Sequence, residues 1–378
     1  MRVGLVCHRY PPFVGGLERH VYNLVHGLRE TGIETTVFTT QLPQKANSDE
    51  DIFEFRAIQL PAGGYYFWPR FLSSRTLRKI RDMDIIHSFS ATMFAPLATL
   101  AWSRLLRVPS VLTATYHPIQ FTPHTRARGV YDSVTLKRIV KGHDRIIVHS
   151  DVELEALEDA VPSFDHGRTR KIEHASDILS VRKSSLELRK RFGQDSKLIL
   201  IVGRIDYFKG FDEVVEAVRS LRRQDVNATL VHVGPRENWY SEASHIDSNN
   251  NEFIHSLGHV PEAALAAADA ECDVTVVPSR FEAFGFVAVE SLLLGTPVIS
   301  TPTGIMREII KDGKNGTLYQ PGDVNSLTSK LNHYLSQTSR DTTIKAPLIS
   351  VEKYGNPRRE IDDLMSVYKE IARRGCWS

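Results

Sequence analysis

The chain of 378 residues predicts an α/β protein built from two parallel-sheet domains. Three observations carry this reading. Short β-branched runs alternate with helix-length amphipathic stretches from end to end, the pattern of strands joined by crossover helices. A hydrophobic content of 42 % over this length is more than one ordinary core takes up. The strand-like runs also fall into two series, separated by the polar stretch 162–196, which has no long apolar run.

In the first series, strands are expected at Val3–Cys7, Thr35–Thr39, Ile85–His87, Ser110–Ala114 and Arg145–His149, with helices at Leu17–Glu30 and Thr125–Lys141 among those between them. The second series places strands at Leu198–Val202, Ala228–Val233, Phe253–Ser256, Val274–Val277 and Pro297–Ser300, and a helix from about Asp212. The division is expected near Asp177, giving domains 1–177 and 178–356. Residues 357–378 form a terminal segment whose Ile361, Leu364, Met365, Tyr368 and Ile371 recur at helical spacing.

Composition excludes several function classes. A formal charge of +2 gives no case for a nucleic-acid partner. Cys7, Cys272 and Cys376 lie far apart with no CxxC pair, so neither a disulfide framework nor a zinc site is indicated, and a reducing, cytoplasmic setting is expected. The first residues enter an apolar run with no basic region or cleavage site, unlike a signal peptide. Ala91–Trp102 is the most membrane-like segment, but it falls short of the roughly 20 residues of a spanning helix and reads as a buried helix.

The chemistry concentrates in 273–300. An apolar strand ends at Pro278, a polar turn runs from Ser279 to Gly285, and a helix from Phe286 to Leu294 is stopped by Gly295 and Pro297. A strand feeding a helix through a tight turn leaves backbone N–H groups unpaired and pointing one way, which suits a phosphate, and Gly285 would let it approach closely. Glu282 lies in the turn and Glu290 about two helical turns on. Glu282 suits sugar hydroxyls and Glu290 a ribose diol, since carboxylates accept from paired hydroxyls; the plainer alternative is a favourable first-turn acid and a solvated helix residue. Upstream, Arg204 and Lys209 flank the turn after the strand Leu198–Val202, where ligands of open α/β sheets bind. They would neutralise a diphosphate, or serve simply as solvated turn cations. Gly15 and Gly16 form a glycine pair after the first strand, which is not the GxGxxG of a dinucleotide site. His117 follows another strand end and is either structural or a group reaching the inter-domain space, whereas His87 and His149 read as wall residues.

Together these residues resemble the retaining glycosyltransferase family 4, marked by two glutamates with seven residues between them, here Glu282 and Glu290. The resemblance covers nearly the whole chain. It takes in the Gly15-Gly16 loop with Glu18 and His20, the segment from Val202 to Gly210, Gly234-Pro235, Gly258 to Val260, and Gly295 to Ile299. It implies a GT-B fold of two Rossmann-like domains with an inter-domain cleft. The acceptor is then held by the N-terminal domain, the nucleoside-diphosphate sugar by the C-terminal one, and the final helix crosses back. Carried over, Arg204 and Lys209 hold the diphosphate, Gly258, His259 and Val260 line the base, Glu290 binds ribose, and Glu282 holds the donor sugar. Phe284, Gly285 and Phe286 offer backbone amides, His117 stands near the reacting carbon, and Gly16 lies near the phosphate. Glu282, His117, Arg204 and Lys209 thus form the expected catalytic set, with retention, no cofactor and no required metal. One segment departs from the family, which often reads Asn-Gly-Val-Asp where this chain has His174, Ala175, Ser176 and Asp177.

The acceptor half is basic: from Tyr65 to Arg145 there are 13 Lys or Arg against 4 Asp or Glu, beginning beside Tyr65, Tyr66, Phe67 and Trp68. This suits an anionic or lipid-linked acceptor, or peripheral contact with acidic headgroups at the cytoplasmic membrane face; ordinary solvated helix faces, such as Arg75, Arg78 and Lys79, are the alternative. A GT-B epimerase or phosphorylase, or a catalytically silent binding subunit, would share the same sheets and turns.

Overall fold

The structure, a computed structural model, describes residues 1–13, 15–40, 51–55, 58–59, 66–67, 71–118, 132–181, 185–205, 207–235, 252–336 and 351–375. Tyr65, Trp68, Cys376 and the first part of the helix expected at Thr125–Lys141 lie outside these residues. The chain divides into two compact units, 1–173 with 357–378, and 174–356.

The first unit carries a sheet of β1 (Arg2–Val6), β2 (Glu34–Thr40), β3 (Asp51–Phe55), β6 (Ile85–Phe89), β7 (Ser110–Thr113), β8 (Arg145–Val148) and β9 (Thr169–Lys171). Its order is β3-β2-β1-β6-β7-β8-β9, with every pairing parallel. A small antiparallel pair, β4 (Ile58–Gln59) and β5 (Tyr66–Phe67), stands apart from it. Because side chains alternate along a strand, β1 sends Val3 and Leu5 into one core and Val6 into another, so both faces of the sheet are covered.

The second unit carries β10 (Lys197–Val202), β11 (Ala228–Val233), β12 (Ile254–Ser256), β13 (Val274–Val277), β14 (Val298–Ser300) and β15 (Gly316–Leu318), ordered β12-β11-β10-β13-β14-β15 and again all parallel. Ile199 and Ile201 of β10 face one core, Leu198 and Leu200 the other. The strand order reverses between β10 and β13, and the crevice outside the carboxyl ends at such a switch point is where open α/β sheets bind ligands.

The periodic segments form at or near their expected bounds, and three edge strands, β3, β9 and β15, add to them. Within the described part of Thr125–Lys141, a π-helical turn at Asp132–Leu136 leads into an α-helix at Lys137–Gly142. The membrane-like run belongs to the helix Phe94–Leu106, whose Ala98, Leu100 and Trp102 are buried, and no described helix is long and apolar enough to cross a membrane.

The boundary lies at Glu173, ahead of the expected Asp177, because His174 and Ser176 pack with side chains of the second unit. The helix Pro357–Gly375 rejoins the first unit, where Ile361, Leu364, Val367, Tyr368 and Ile371 are buried against Val3, Leu5, Val21 and Leu24. Met365 of the expected stripe is only partly buried, and Val367 takes a core place. Ile361→Ala should lower stability by about 2–5 kcal/mol, the usual cost of emptying a buried aliphatic site. Chemical denaturation of the full chain, followed by the transition of the first unit, checks this.

Candidate active site

The site in the second unit is made by two turns at the reversal of strand order, one after β10 and one after β13. After β10 the chain makes a single 3-10 turn at Tyr207–Lys209, and Gly210 then starts the helix Phe211–Arg223 at a φ of 60°. A Cβ on Gly210 would stand 2.3 Å from the carbonyl oxygen of Pro278, at the end of β13, so only glycine allows the two turns to touch. The amide of Arg280 donates to the Phe208 carbonyl (2.8 Å) and fastens them again.

This contact brings Lys209 and Glu282 together. Lys209 Nζ donates to Glu282 Oε1, and the Ser279 hydroxyl donates to the same oxygen at 2.8 Å. Both charged side chains are part-buried, so their attraction is screened less than at an open surface. The stem of Lys209 lies over Gly203, 3.6 Å from where a Cβ would be. The amide of Glu282 donates to Thr303 Oγ1 at 2.9 Å, and the Phe284 carbonyl accepts from Ile305 at 2.7 Å, so the loop after β14 braces the turn.

Gly285 begins the helix Phe286–Leu294 at a φ of 110°, and a side chain there would collide with Met306 Sδ at 2.4 Å. Packing therefore demands this glycine, with or without a ligand. The first turn of that helix presents backbone N–H groups that no preceding carbonyl of the helix can take. Phe284 is buried, edge-on to the His174 ring (5.0 Å), while Phe286 stacks on the same ring at 4.8 Å. Burial lowers the His174 pKa to about 3, so its imidazole is neutral.

Glu290 is not a solvated helix residue. It is 6 % exposed, and Ser176 Oγ, itself buried, donates to its Oε1 at 2.9 Å. The departing segment from His174 to Asp177 thus supplies a partner for the second glutamate. The Ser176 amide is fixed by the Tyr354 carbonyl (2.7 Å), and its hydroxyl also accepts from the Ile178 amide at 3.2 Å.

Arg204 is exposed at the end of β10. Gly258, at a φ of 69°, has open space where a side chain would be, and its carbonyl accepts from Gly234 at 2.9 Å. His259 is exposed, whereas Val260 packs against the core that holds Leu198 and Leu200. Buried His232 ties these strand ends: Nε2 lies 2.8 Å from the Gly203 carbonyl and Nδ1 2.8 Å from Ser256 Oγ. A carbonyl only accepts, so Nε2 carries the proton.

In the first unit, Gly16 opens the helix Gly16–Glu30 with open space beside its Cα, and His117 is half-buried just beyond β7. Glu153 is fully buried, next to Tyr116. Its two oxygens accept from the amides of Tyr116 (2.9 Å) and His149 (2.7 Å), joining the ends of β7 and β8. His87 and His149 are wall residues. His87 is fully buried between Tyr368 Oη (2.7 Å) and Thr113 Oγ1 (2.8 Å), and His149 Nδ1 meets the Ile172 carbonyl at 2.8 Å. Burial raises the Cys7 thiol to about 12, as expected of an inert buried cysteine.

Comparison with known proteins bears on both units. The family model described as Glycosyl transferases group 1 matches residues 185–346, and that described as Glycosyltransferase Family 4 matches 14–177. The chain is a glycosyltransferase, with one of these two domains in each half. This glycosyltransferase is 28 % identical to the phosphatidyl-myo-inositol mannosyltransferase of Mycobacterium leprae, over 99 % of this chain and 98 % of the relative. It is 26 % identical to the glycogen synthase of Mycobacterium tuberculosis, over 89 % and 86 % of the two chains. Its fold is GT-B. The Anabaena HepE structure containing UDP and glucose superposes with a TM-score of 0.77 at 19 % identity, over 97 % of this chain and 99 % of that one. Sucrose-phosphate synthase from Thermosynechococcus elongatus gives 0.71 at 20 % identity, over 98 % of each chain.

Sequence reasoning about this glycosyltransferase did not assign roles to Ser279, Thr303, Ser176 or Arg280. Arg280 lies 4.0 Å over the Tyr207 ring and pairs with Asp212 (3.2 Å) and, as an ion pair without hydrogen-bond alignment, with Glu213 (3.1 Å). Burial works against its charge, but the hydrogen bond and charge of Asp212, with Glu213, raise its pKa overall. These partners sit 68 and 67 positions away, beyond any motif window.

Burial outweighs the two amide bonds to Glu153 and raises its pKa from 4.5 to about 8. A raised carboxyl pKa means that the folded state holds its proton longer than the unfolded chain. Its contribution is present in full below 4.5 and is lost as pH rises through about 8. Comparing Glu153→Gln with the parent by denaturation across this range should show that this component of the slope is absent from the variant.

Proposed function

We propose that the chain transfers a sugar from a nucleoside-diphosphate sugar to an acceptor hydroxyl with retention of anomeric configuration and without a required metal. The observation that carries this is the meeting of Lys209 and Glu282 at the carboxyl ends of β10 and β13, beside a helix N-terminus. An ammonium group has three donor hydrogens, so Lys209 can hold Glu282 and a phosphate oxygen together. Lys209, Arg204 and the helix amides then compensate the charge that gathers on the diphosphate as it leaves. Glu282 accepts from hydroxyls of the donor sugar, Glu290 from the ribose diol, and Gly258, His259 and Val260 border the base. By the family resemblance, Gly16 and His117 of the N-terminal unit also serve the transfer.

In the step itself the acceptor oxygen bonds to the anomeric carbon on the face that the diphosphate leaves. The electron pair of the broken C–O bond goes to the leaving phosphate oxygen, which takes the acceptor proton. The products are a glycoside and a nucleoside diphosphate. The HepE structures with UDP or UDP-glucose support a nucleotide-sugar donor. The basic excess of the N-terminal unit favours an anionic or lipid-linked acceptor.

The test incubates the full chain with nucleoside-diphosphate sugars and candidate acceptors and reads the anomeric configuration of the product by NMR, with and without EDTA. Inversion, an epimerised nucleotide sugar, or loss of activity in EDTA would overturn the proposal. Glu282→Ala and Lys209→Ala should each reduce transfer by at least about 100-fold, the scale of losing a charge-stabilising group. Each also leaves a part-buried charge without its ion-pair partner and lowers the melting temperature. The double variant should regain part of that stability and none of the activity, which separates pairing from catalysis.

A further inference from the structure

The first unit has a second feature, away from its strand ends. Arg104, near the end of the helix Phe94–Leu106, and Lys137, Arg138 and Lys141, on the helix Lys137–Gly142, line an open depression of about 430 Å³ together with Val134. Leu136, Ile139 and Val140, between these residues in sequence, are buried in the core beneath, so the segment turns its cations outward. Lys137 and Lys141 are one helical turn apart, a like-charge spacing that disfavours an isolated helix. Among the described residues none of the four cations forms an ion pair with a carboxylate.

The surroundings are apolar as well as basic. Val134, in the wall of the depression, is 46 % exposed, and Leu105, next to Arg104 in the chain, is 59 % exposed. They are two of the four large hydrophobic side chains at least 46 % exposed among the described residues. A small soluble anion would use the charges and leave both side chains in water. An anionic bilayer surface satisfies both, since its headgroups meet Lys and Arg while short aliphatic side chains enter the headgroup boundary.

We propose that the face formed by Arg104, Val134, Lys137, Arg138 and Lys141 docks the protein on an anionic phospholipid bilayer. The surface is separate from the donor-binding turns, so its test stands apart from the transfer assay. Full-length protein is sedimented with vesicles of phosphatidylcholine, and with vesicles that also contain phosphatidylglycerol. Binding to the mixed vesicles alone, weakened by added salt, is expected. Lys137→Glu with Lys141→Glu should reduce partition by on the order of ten-fold or more. The milder pair Arg104→Gln with Lys137→Gln should reduce it less, and unchanged thermal melts would show that both variants fold. Leu105→Asp with Val134→Asp should also weaken binding. Failure of the parent to bind the mixed vesicles, or sedimentation of folded charge variants as complete as the parent's, would overturn the proposal. So would displacement by inorganic phosphate beyond that by chloride at equal ionic strength, which marks a site for a small anion.

Discussion

The second unit depends on a backbone approach that leaves no room for a side chain. The helix start at Gly210 rests on the carbonyl of Pro278, and the turn that follows β13 closes through Gly285 against Met306. Two chain segments about seventy residues apart in sequence are thereby held in fixed register at the reversal of strand order. The meeting of Lys209 with Glu282 follows from that register, as does the Arg280 clasp on Tyr207, Asp212 and Glu213. Opposite charges are brought together by backbone contacts between segments distant in sequence.

Around this point, several polar groups are buried with partners to match. Glu290 has Ser176, His232 has Gly203 and Ser256, and the Glu282 amide has Thr303. Each interaction anchors a group that would be costly to bury alone, and each also fixes where a turn points. His174 works differently: burial keeps it neutral, and it acts as a flat surface for Phe284 and Phe286. The segment that departs from the family pattern is thus integrated with the site, through a hydroxyl on one glutamate and a ring on two phenylalanines.

The first unit has its own logic. Its strand ends are tied by Glu153, and its sheet is closed by the returning terminal helix, whose Tyr368 hydroxyl meets the buried ring of His87. Its cations, by contrast, remain largely at the surface, and those around Val134 lie beside exposed aliphatic side chains.

What the sequence determined by itself was local. Strand β13 and the helix Phe286–Leu294 have the bounds that periodicity predicts, because Pro278, Gly285 and Gly295 punctuate them within a few residues. The strands β3, β9 and β15 went unread because their positions at an edge require no continuous apolar run, and Thr169–Lys171 is polar throughout. Among the candidate site residues, Lys209, Glu282 and Glu290 lie in the turns and the helix where the sequence places them, and Arg204 follows β10. Their partners could not be read in the same way. The Ser176–Glu290 bond spans 114 positions and the Lys209–Glu282 pair 73, and no periodicity reaches so far. Which charge meets which, and whether Glu290 faces water or a serine, was decided only by tertiary structure. Side-chain spacing along one element is fixed by its own geometry, while contact between elements is fixed by how their backbones pack.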